Sequence, residues 1–333
     1  MIIDGLQYNN WNRALFESAR RVGLSAIHVT IAYWENAQET EQNIEQWRTW
    51  FQQHEDLIRP VLTAQDIIQA RQEGRTGIIL GFQNCSPIED DYRGVERMHS
   101  LGARIMQLSY NNQSLLATGC YEDQDSGITR FGREVIREMN RLGMVIDMSH
   151  SAEQSTLEAI ELSERPIVIS HANPSSFHPA LRNKSDRILD ALAESGGLLG
   201  CSLYPFHLPG GSECTLEAFC DMLCRLVDRL GTGRVGIGSD LCLGWGYDTL
   251  VWMRNGKWAR TQDHGEDESA TPAWPDQPPW FKGFEGFYEI RRGLEELGMH
   301  RVEIDGIMGA NWFAFLDASL RPGETPHAGH IDP

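Results

Sequence analysis

Basic residues are scarce in this chain: 29 Lys and Arg stand against 47 Asp and Glu, a formal charge of −18. Nucleic acid and anionic membrane surfaces both call for basic patches, so neither is an expected partner, and a small neutral or cationic ligand suits the balance better. Long apolar runs are also missing. No stretch approaches the roughly 18 residues of a membrane span, and no basic-then-apolar leader opens the chain, so the expected location is the cytoplasm. The seven cysteines are odd in number and scattered without CxxC spacing, which argues against a disulfide framework and against a zinc ribbon. Cys220 and Cys224 share a helix face with Leu223 and Val227 and read as small core residues. No Gly/Ser/Pro linker, low-complexity tract or internal repeat interrupts the 333 residues, so residues 1–333 are expected to form one domain.

What is present is a rhythm. Eight short apolar runs recur: Ile2 to Gly5, Ala26 to Ile31, Gly77 to Asn84, Ile105 to Tyr110, Met144 to His150, Pro166 to His171, Leu198 to Tyr204 and Val235 to Asp240. Helical periodicity fills the gaps between them, and this alternation predicts the α/β class and a (β/α)8 TIM-like barrel. Runs such as Met144-Val145-Ile146, apolar on both faces, suit a parallel barrel wall. A helix is predicted over Glu41 to Arg59, with Ile44, Trp47, Phe51 and Ile58 on one stripe. Another covers Phe131 to Leu142, with Thr129 before it and Gly143 as its stop. A final helix, Arg301 to Leu320, closes the barrel, and His327 and His330 fall in a Pro/Gly tail expected to fray.

Residues 244–288 depart from the pattern. They hold five of the ten tryptophans, Trp245, Trp252, Trp258, Trp274 and Trp280, without clean periodicity. So many aromatics predict an ordered loop rather than disorder. Following the last strand, it emerges on the active-site face as a lid or an oligomer contact. Tryptophans at this density pack more often than they form cation-binding cages.

Barrel active sites lie at the C-terminal ends of the strands. The rim therefore carries Gln83, Tyr110, His150, His171 and Asp240. His150 and His171 end neighbouring strands, about 5 Å apart, and two imidazoles there can meet as metal ligands or as hydrogen-bonded rim groups. Asp240 adds a carboxylate, as a third ligand or a general base. Asp147, three residues before His150, is placed to support it.

Several longer segments sharpen this reading. Gly127-Ile128-Thr129-Arg130-Phe131-Gly132-Arg133-Glu134-Val135, Glu138-Met139-Asn140-Arg141-Leu142-Gly143, Ile146-Asp147-Met148-Ser149-His150, Ser170-His171, Arg182-Asn183-Lys184-Ser185-Asp186 and Gly236-Ile237-Gly238-Ser239-Asp240 resemble the membrane (renal) dipeptidase family in order and spacing. The resemblance spans Ile2 to Asp240 and the final helix. It implies a barrel hydrolase with two zinc ions that cleaves dipeptides and some cyclic amides. His150 and His171 match the two histidines of one metal, Arg182 matches an arginine for the substrate carboxylate, and Asp240 matches the carboxylate that handles the proton. A guanidinium also suits carboxylate capture on its own chemistry, with a helix-surface salt bridge as the alternative.

The departures matter as much. The family opens with Asp-Gly-His-x-Asp, whereas this chain has Asp4-Gly5-Leu6-Gln7-Tyr8, so Leu6 and Tyr8 stand where the other metal's ligands belong. Gln83 stands at the bridging glutamate and Tyr110, beside Asn111, at a substrate-contacting histidine. The expectation is at most one Zn²⁺, held by His150 and His171 with Asp240 or Gln83. The expected function is a dipeptidase-like hydrolase of a small amide, dipeptide or amino-acid derivative, its carboxylate-bearing substrate bound by Arg182, Tyr110, Gln83 and Asn111. The alternatives are a metal-free small-molecule binding protein and an acid–base isomerase or lyase using His150, Asp240 and Tyr110. Related barrels commonly dimerise, which leaves a homodimer open.

Overall fold

A computed structural model describes residues 1–257 and 273–321. Trp258, His327 and His330 lie outside the described residues. The described residues hold nine strands: β1 Ile2–Gln7, β2 Leu24–Thr30, β3 Ile58–Pro60, β4 Thr76–Phe82, β5 Ala103–Gln107, β6 Val145–Asp147, β7 Val168–Ile169, β8 Leu198–Cys201 and β9 Val235–Ile237. All pair in parallel, and β2 pairs with β4, so eight of them close a barrel. The eight are the eight apolar runs of the sequence. The ninth, β3, was not anticipated. It pairs with the first half of β4, from Thr76 to Ile78, below the point where β5 takes over at Leu80.

That short strand corrects one helix. The predicted helix over 41–59 runs instead from Ala37 to Gln53, begun by an Asn36–Glu39 capping box, and Ile58 belongs to β3. Ile44 and Trp47 are buried as the stripe requires. The helix Arg130–Leu142 starts one residue before the predicted Phe131, with Thr129 accepting from Gly132 N, and ends on Gly143 at φ +76°. The aromatic segment is less irregular than its sequence. It contains a helix, Tyr247–Asn255, and a second begins at Gly286 within its predicted bounds. Three of its tryptophans are anchored by their indole N–H groups: Trp245 donates to Tyr8 O, Trp274 to Gly246 O and Trp280 to Cys214 O, at 2.8–2.9 Å.

Inside the barrel, side chains alternate with the pleat and so form layers. Ile3, Ala26, Ile79, Ile105, Val145, Val168 and Leu198 make an apolar floor. The chain's last helical stretch seals it from below. That stretch is not the continuous helix expected over 301–320: it runs Arg301–Asp305, a π-helical turn Gly306–Ala310, then Asn311–Ser319. Trp312 inserts its indole into the N-terminal end of the barrel and donates to Ile237 O at 2.9 Å. Gly5 and Gly236 make room for it, since a Cβ on either would fall 2.1 and 2.6 Å from the ring.

Two residues further along the strands the lining turns polar, with His28, Gln107, Asp147 and Ser170 all buried. Asp147 accepts from Ser149 and Ser170 N–H and from Gln107 Nε2 at 3.0–3.1 Å. The rim lies one further step outward.

Candidate active site at the C-terminal rim

The strands stop short of the residues that matter. Gln83, Tyr110, His150, His171 and Asp240 lie one to three residues beyond the ends of β4, β5, β6, β7 and β9. There the chain turns, freed from the ladder, and aims side chains at the axis. Asn111 and Asp240 both adopt left-handed backbone, φ +60° and +57°, a conformation Asn and Asp tolerate better than most residues. Gln83, Tyr110, Asn111, His150, Arg182 and Asp240 line one cavity, of about 60 Å³. His171 is wholly buried behind it and touches His150.

The hydrogen bonds fix protons on the imidazoles. His150 Nδ1 lies 2.6 Å from Asn111 Oδ1, an oxygen that can only accept, so Nδ1 carries the proton. His171 Nδ1 lies 2.7 Å from Ser170 Oγ, whose own proton goes to Asp147, so this Nδ1 donates as well. Burial, then the positive charge of Arg182, holds both imidazoles well below their usual pKa and hence neutral. Each Nε2 is therefore a bare acceptor. The two Nε2 atoms are 3.0 Å apart, and Gln83 Oε1 is 2.9 Å from that of His150. The Gln83 amide is turned this way because its NH₂ donates to Thr30 Oγ1 and Tyr33 OH, at 2.9 and 2.8 Å. Three lone pairs thus converge with no proton between them.

Converging lone pairs repel unless a cation lies among them, so His150, His171 and Gln83 are the residues that could hold a divalent ion here. Among the described residues no three His, Cys, Asp or Glu gather in this way, so the third donor is a neutral amide. A second ion does not fit. Leu6 has no donor atom, and the Tyr8 ring is wedged against Tyr33 and Trp245, with centroids 4.7 and 4.8 Å away.

The remaining ionisable groups are buried. Burial raises the Asp240 carboxyl to about 7, with Arg182 opposing and Asp4 adding to the shift. Arg182 is 2% exposed, which overturns the surface salt-bridge alternative. It donates to the peptide oxygens of Ser149 and His171, the latter at 3.1 Å. Buried Lys184 donates to Ser151 O at 2.8 Å and is lowered to about 7. Sequence reasoning missed Tyr121, Tyr204, Phe206, His207 and Arg254, which also line the cavity. Tyr204 ends the run Leu198 to Tyr204, so the strand-end rule could have found it; the others come from loops and the helix Tyr247–Asn255, where that rule does not reach. It also missed His28, which the period-2 alternation of β2 could have placed in the lumen. His28 Nδ1 lies 2.7 Å from Gly5 O, and its Nε2 is buried without a hydrogen-bond partner.

A closed parallel barrel with histidines and a carboxylate at its C-terminal mouth is the architecture of the metal-dependent hydrolases. A family model described as Membrane dipeptidase (Peptidase family M19) matches residues 10–250, and this chain belongs to that family. It is 26% identical over 205 residues to Dipeptidase tcpJ of Claviceps purpurea, covering 61% of this chain and 48% of that protein. It is 28% identical over 215 residues to Dipeptidase verJ of Clonostachys rogersoniana, covering 64% and 55%. The chain thus spans about half the length of the curated relatives it matches. Among solved structures, an amidohydrolase from Pseudomonas aeruginosa superposes with a TM-score of 0.91 at 34% identity over 96% of both chains. A metallopeptidase from Rhodobacter sphaeroides, liganded with a phosphinate mimic of L-Ala-D-Ala, shares the fold at 19% identity and TM-score 0.76, over 96% and 99%. No helix among the described residues is long and apolar enough to cross a membrane.

Proposed function

We propose that this protein hydrolyses a small amide, dipeptide or amino-acid derivative at a rim centre built for one divalent ion, Zn²⁺ by the character of its imidazole donors. The observation that carries the reading is the meeting of the His150 and His171 Nε2 atoms with Gln83 Oε1, at 2.9–3.0 Å, each turned inward by an outer hydrogen bond. When bound, such an ion supplies Lewis acidity toward a carbonyl oxygen and toward water. The chain's own residues do the rest. Asp240, poised at about 7, takes the proton of the attacking water and returns it to the departing amine. Arg182, pinned by two peptide oxygens, holds the substrate carboxylate in a fixed orientation. Asn111 keeps His150 in the tautomer that leaves Nε2 bare, and Tyr110 packs against the His150 ring with centroids 4.2 Å apart.

The competing reading is acid–base chemistry or simple binding in the same cavity without an ion. It requires a proton on His150 Nε2 and a reversed Asn111 amide, which would make the imidazole pair self-sufficient. Metal content per chain separates the two, measured by elemental analysis on untagged protein before and after dialysis against zinc. About one equivalent, lost in His171→Ala, together with turnover of a dipeptide panel that a chelator abolishes, is expected. No zinc under either condition overturns the hydrolytic one-ion reading.

A further inference from the structure

A second cavity, of about 210 Å³, lies between the ends of β1 and β2 and the helix Ala37–Gln53 and shares no lining residue with the rim cavity. Six aromatic side chains line it: Tyr8 and Trp11 from the loop after β1, Tyr33 from beyond β2, Trp47 and Trp50 from the helix, and Trp245 from beyond β9. They pack as crossed pairs. Tyr8 and Tyr33 have centroids 4.7 Å apart at 84°, and Trp47 and Trp50 4.9 Å apart at 89°. Rings set at right angles present π faces from different directions, which is how aromatic side chains surround an organic cation. Aromatic clusters that serve packing alone close to interior density, whereas these rings border an open space.

Two polar groups in the wall point to a ligand. Glu35 is the only charged side chain among the described lining residues. The peptide N–H groups of Tyr33 and Trp34 hold its Oε2 at 2.7 and 3.0 Å, which leaves Oε1 uncommitted among the described residues. Trp11 is 7% exposed, and its indole Nε1, which can only donate, is buried without a hydrogen-bond partner. The carboxylate calls for a cation and the idle N–H for an oxygen acceptor. A ligand with both, and with alkyl groups against the rings, satisfies the wall. A carboxylate on that ligand would meet repulsion from Glu35 in a chain of net charge −18.

We propose that this cavity binds a small alkylammonium ion bearing a neutral oxygen, with the charged head among the rings beside Glu35 and the oxygen on the Trp11 N–H. Tyr8, which stands where the family's second metal would be held, is here a cage wall, stacked on Trp245 at 4.8 Å. Tyr33 is the partition from the rim: its ring lines this cavity while its hydroxyl accepts from Gln83 Nε2 at 2.8 Å. The proposal stands apart from the hydrolase reading and needs no ion at the rim.

The test is calorimetric titration of the full chain, at fixed ionic strength, with tetramethylammonium, with its 2-hydroxyethyl homologue, and with tert-butanol, which has as many non-hydrogen atoms as tetramethylammonium but no charge. Tetramethylammonium is expected to bind at least about tenfold tighter than tert-butanol, and the homologue tighter again. Glu35→Gln, which keeps an oxygen for the two peptide N–H groups, and Trp50→Leu should each weaken both cations. Glu35→Gln should leave tert-butanol unchanged, and Trp11→Phe should remove only the homologue's advantage. His171→Ala, in the rim centre, should change none of the three affinities. Circular dichroism and melting confirm that each variant is folded. Equal affinity for cation and alcohol, no saturable cation binding, a cation affinity untouched by both Glu35→Gln and Trp50→Leu, or one lost in His171→Ala overturns the proposal. A homologue no tighter than tetramethylammonium overturns the assignment of the oxygen to Trp11. If the variants do not fold, the cation-to-alcohol ratio of the unaltered protein decides alone.

Discussion

Replacing Asp240 by Asn removes a titrating group while keeping the side-chain shape and the tolerance for left-handed backbone that φ +57° demands. In an unfolded chain an aspartate titrates near ~3.9, whereas burial places Asp240 at about 7 in the fold. Its folded-state value is raised. The stability it allows is therefore fully present below the unfolded pKa and is lost as the pH rises through about 7. Between pH 5 and pH 8, ionisation favours the unfolded chain by about 4 kcal/mol, of which the folded state recovers little more than about 1 kcal/mol. The net loss is about 3 kcal/mol. Asp240→Asn escapes it, so the stability difference between variant and unaltered protein should grow by about 3 kcal/mol in the variant's favour across that interval. Urea unfolding at both pH values, with a chelator present so that ion uptake does not titrate alongside, measures it by linear extrapolation. A difference that is the same at pH 5 and pH 8 would show that the cavity leaves Asp240 an ordinary carboxylate and would remove its assigned proton-transfer role.

Other outcomes follow from the same geometry. Zinc at a hundredfold its dissociation constant should stabilise the protein by about 2.7 kcal/mol, and His150→Ala or His171→Ala should abolish that gain in a thermal melt. Gln83→Glu, which puts a carboxylate where the neutral amide stands, should tighten zinc binding in a competition titration with a chromophoric chelator; weaker binding would remove Gln83 from the donor set. Leu6→His, Tyr8→Asp and Gln83→Glu together should raise the metal content toward two equivalents; no gain would mean that Tyr33 and Trp245 have refilled the space the Tyr8 ring vacates. Trp312→Ala should destabilise the barrel by about 3–5 kcal/mol in urea unfolding. It should leave zinc stoichiometry unchanged, since the plug lies at the opposite end of the barrel from the rim.

The eight staves of the barrel were legible because each is a short apolar run, a signal that depends on local composition alone. The helix after Thr129 was legible for a similar reason, since cap and stop residues act within a few positions of one another. β3 was not: three residues, Ile58–Pro60, carry too little pattern to separate them from the end of a helix, and only the exposed edge of β4 makes them a strand. The helix Tyr247–Asn255 lacked a clean stripe because both apolar and charged side chains find partners, Met253 among Tyr33, Trp34 and Tyr110, and Arg254 on Phe206.

For the site, sequence by itself determined the cast that strand ends supply: Gln83, Tyr110, His150, His171 and Asp240, with Arg182 from its motif. It also determined that Leu6 cannot hold a metal, because that follows from side-chain chemistry alone, whereas the packing of Tyr8 against Tyr33 and Trp245 is tertiary. Only the tertiary structure decided which nitrogen of each histidine faces the centre. Asn111 and Ser170 fix the tautomers through hydrogen bonds that the fold alone creates. The depth of burial that lifts Asp240 and the arrival of Arg254 from beyond β9 are tertiary in the same sense. Both depend on distances across a closed barrel, and closure brings together residues whose separation along the chain carries no local trace.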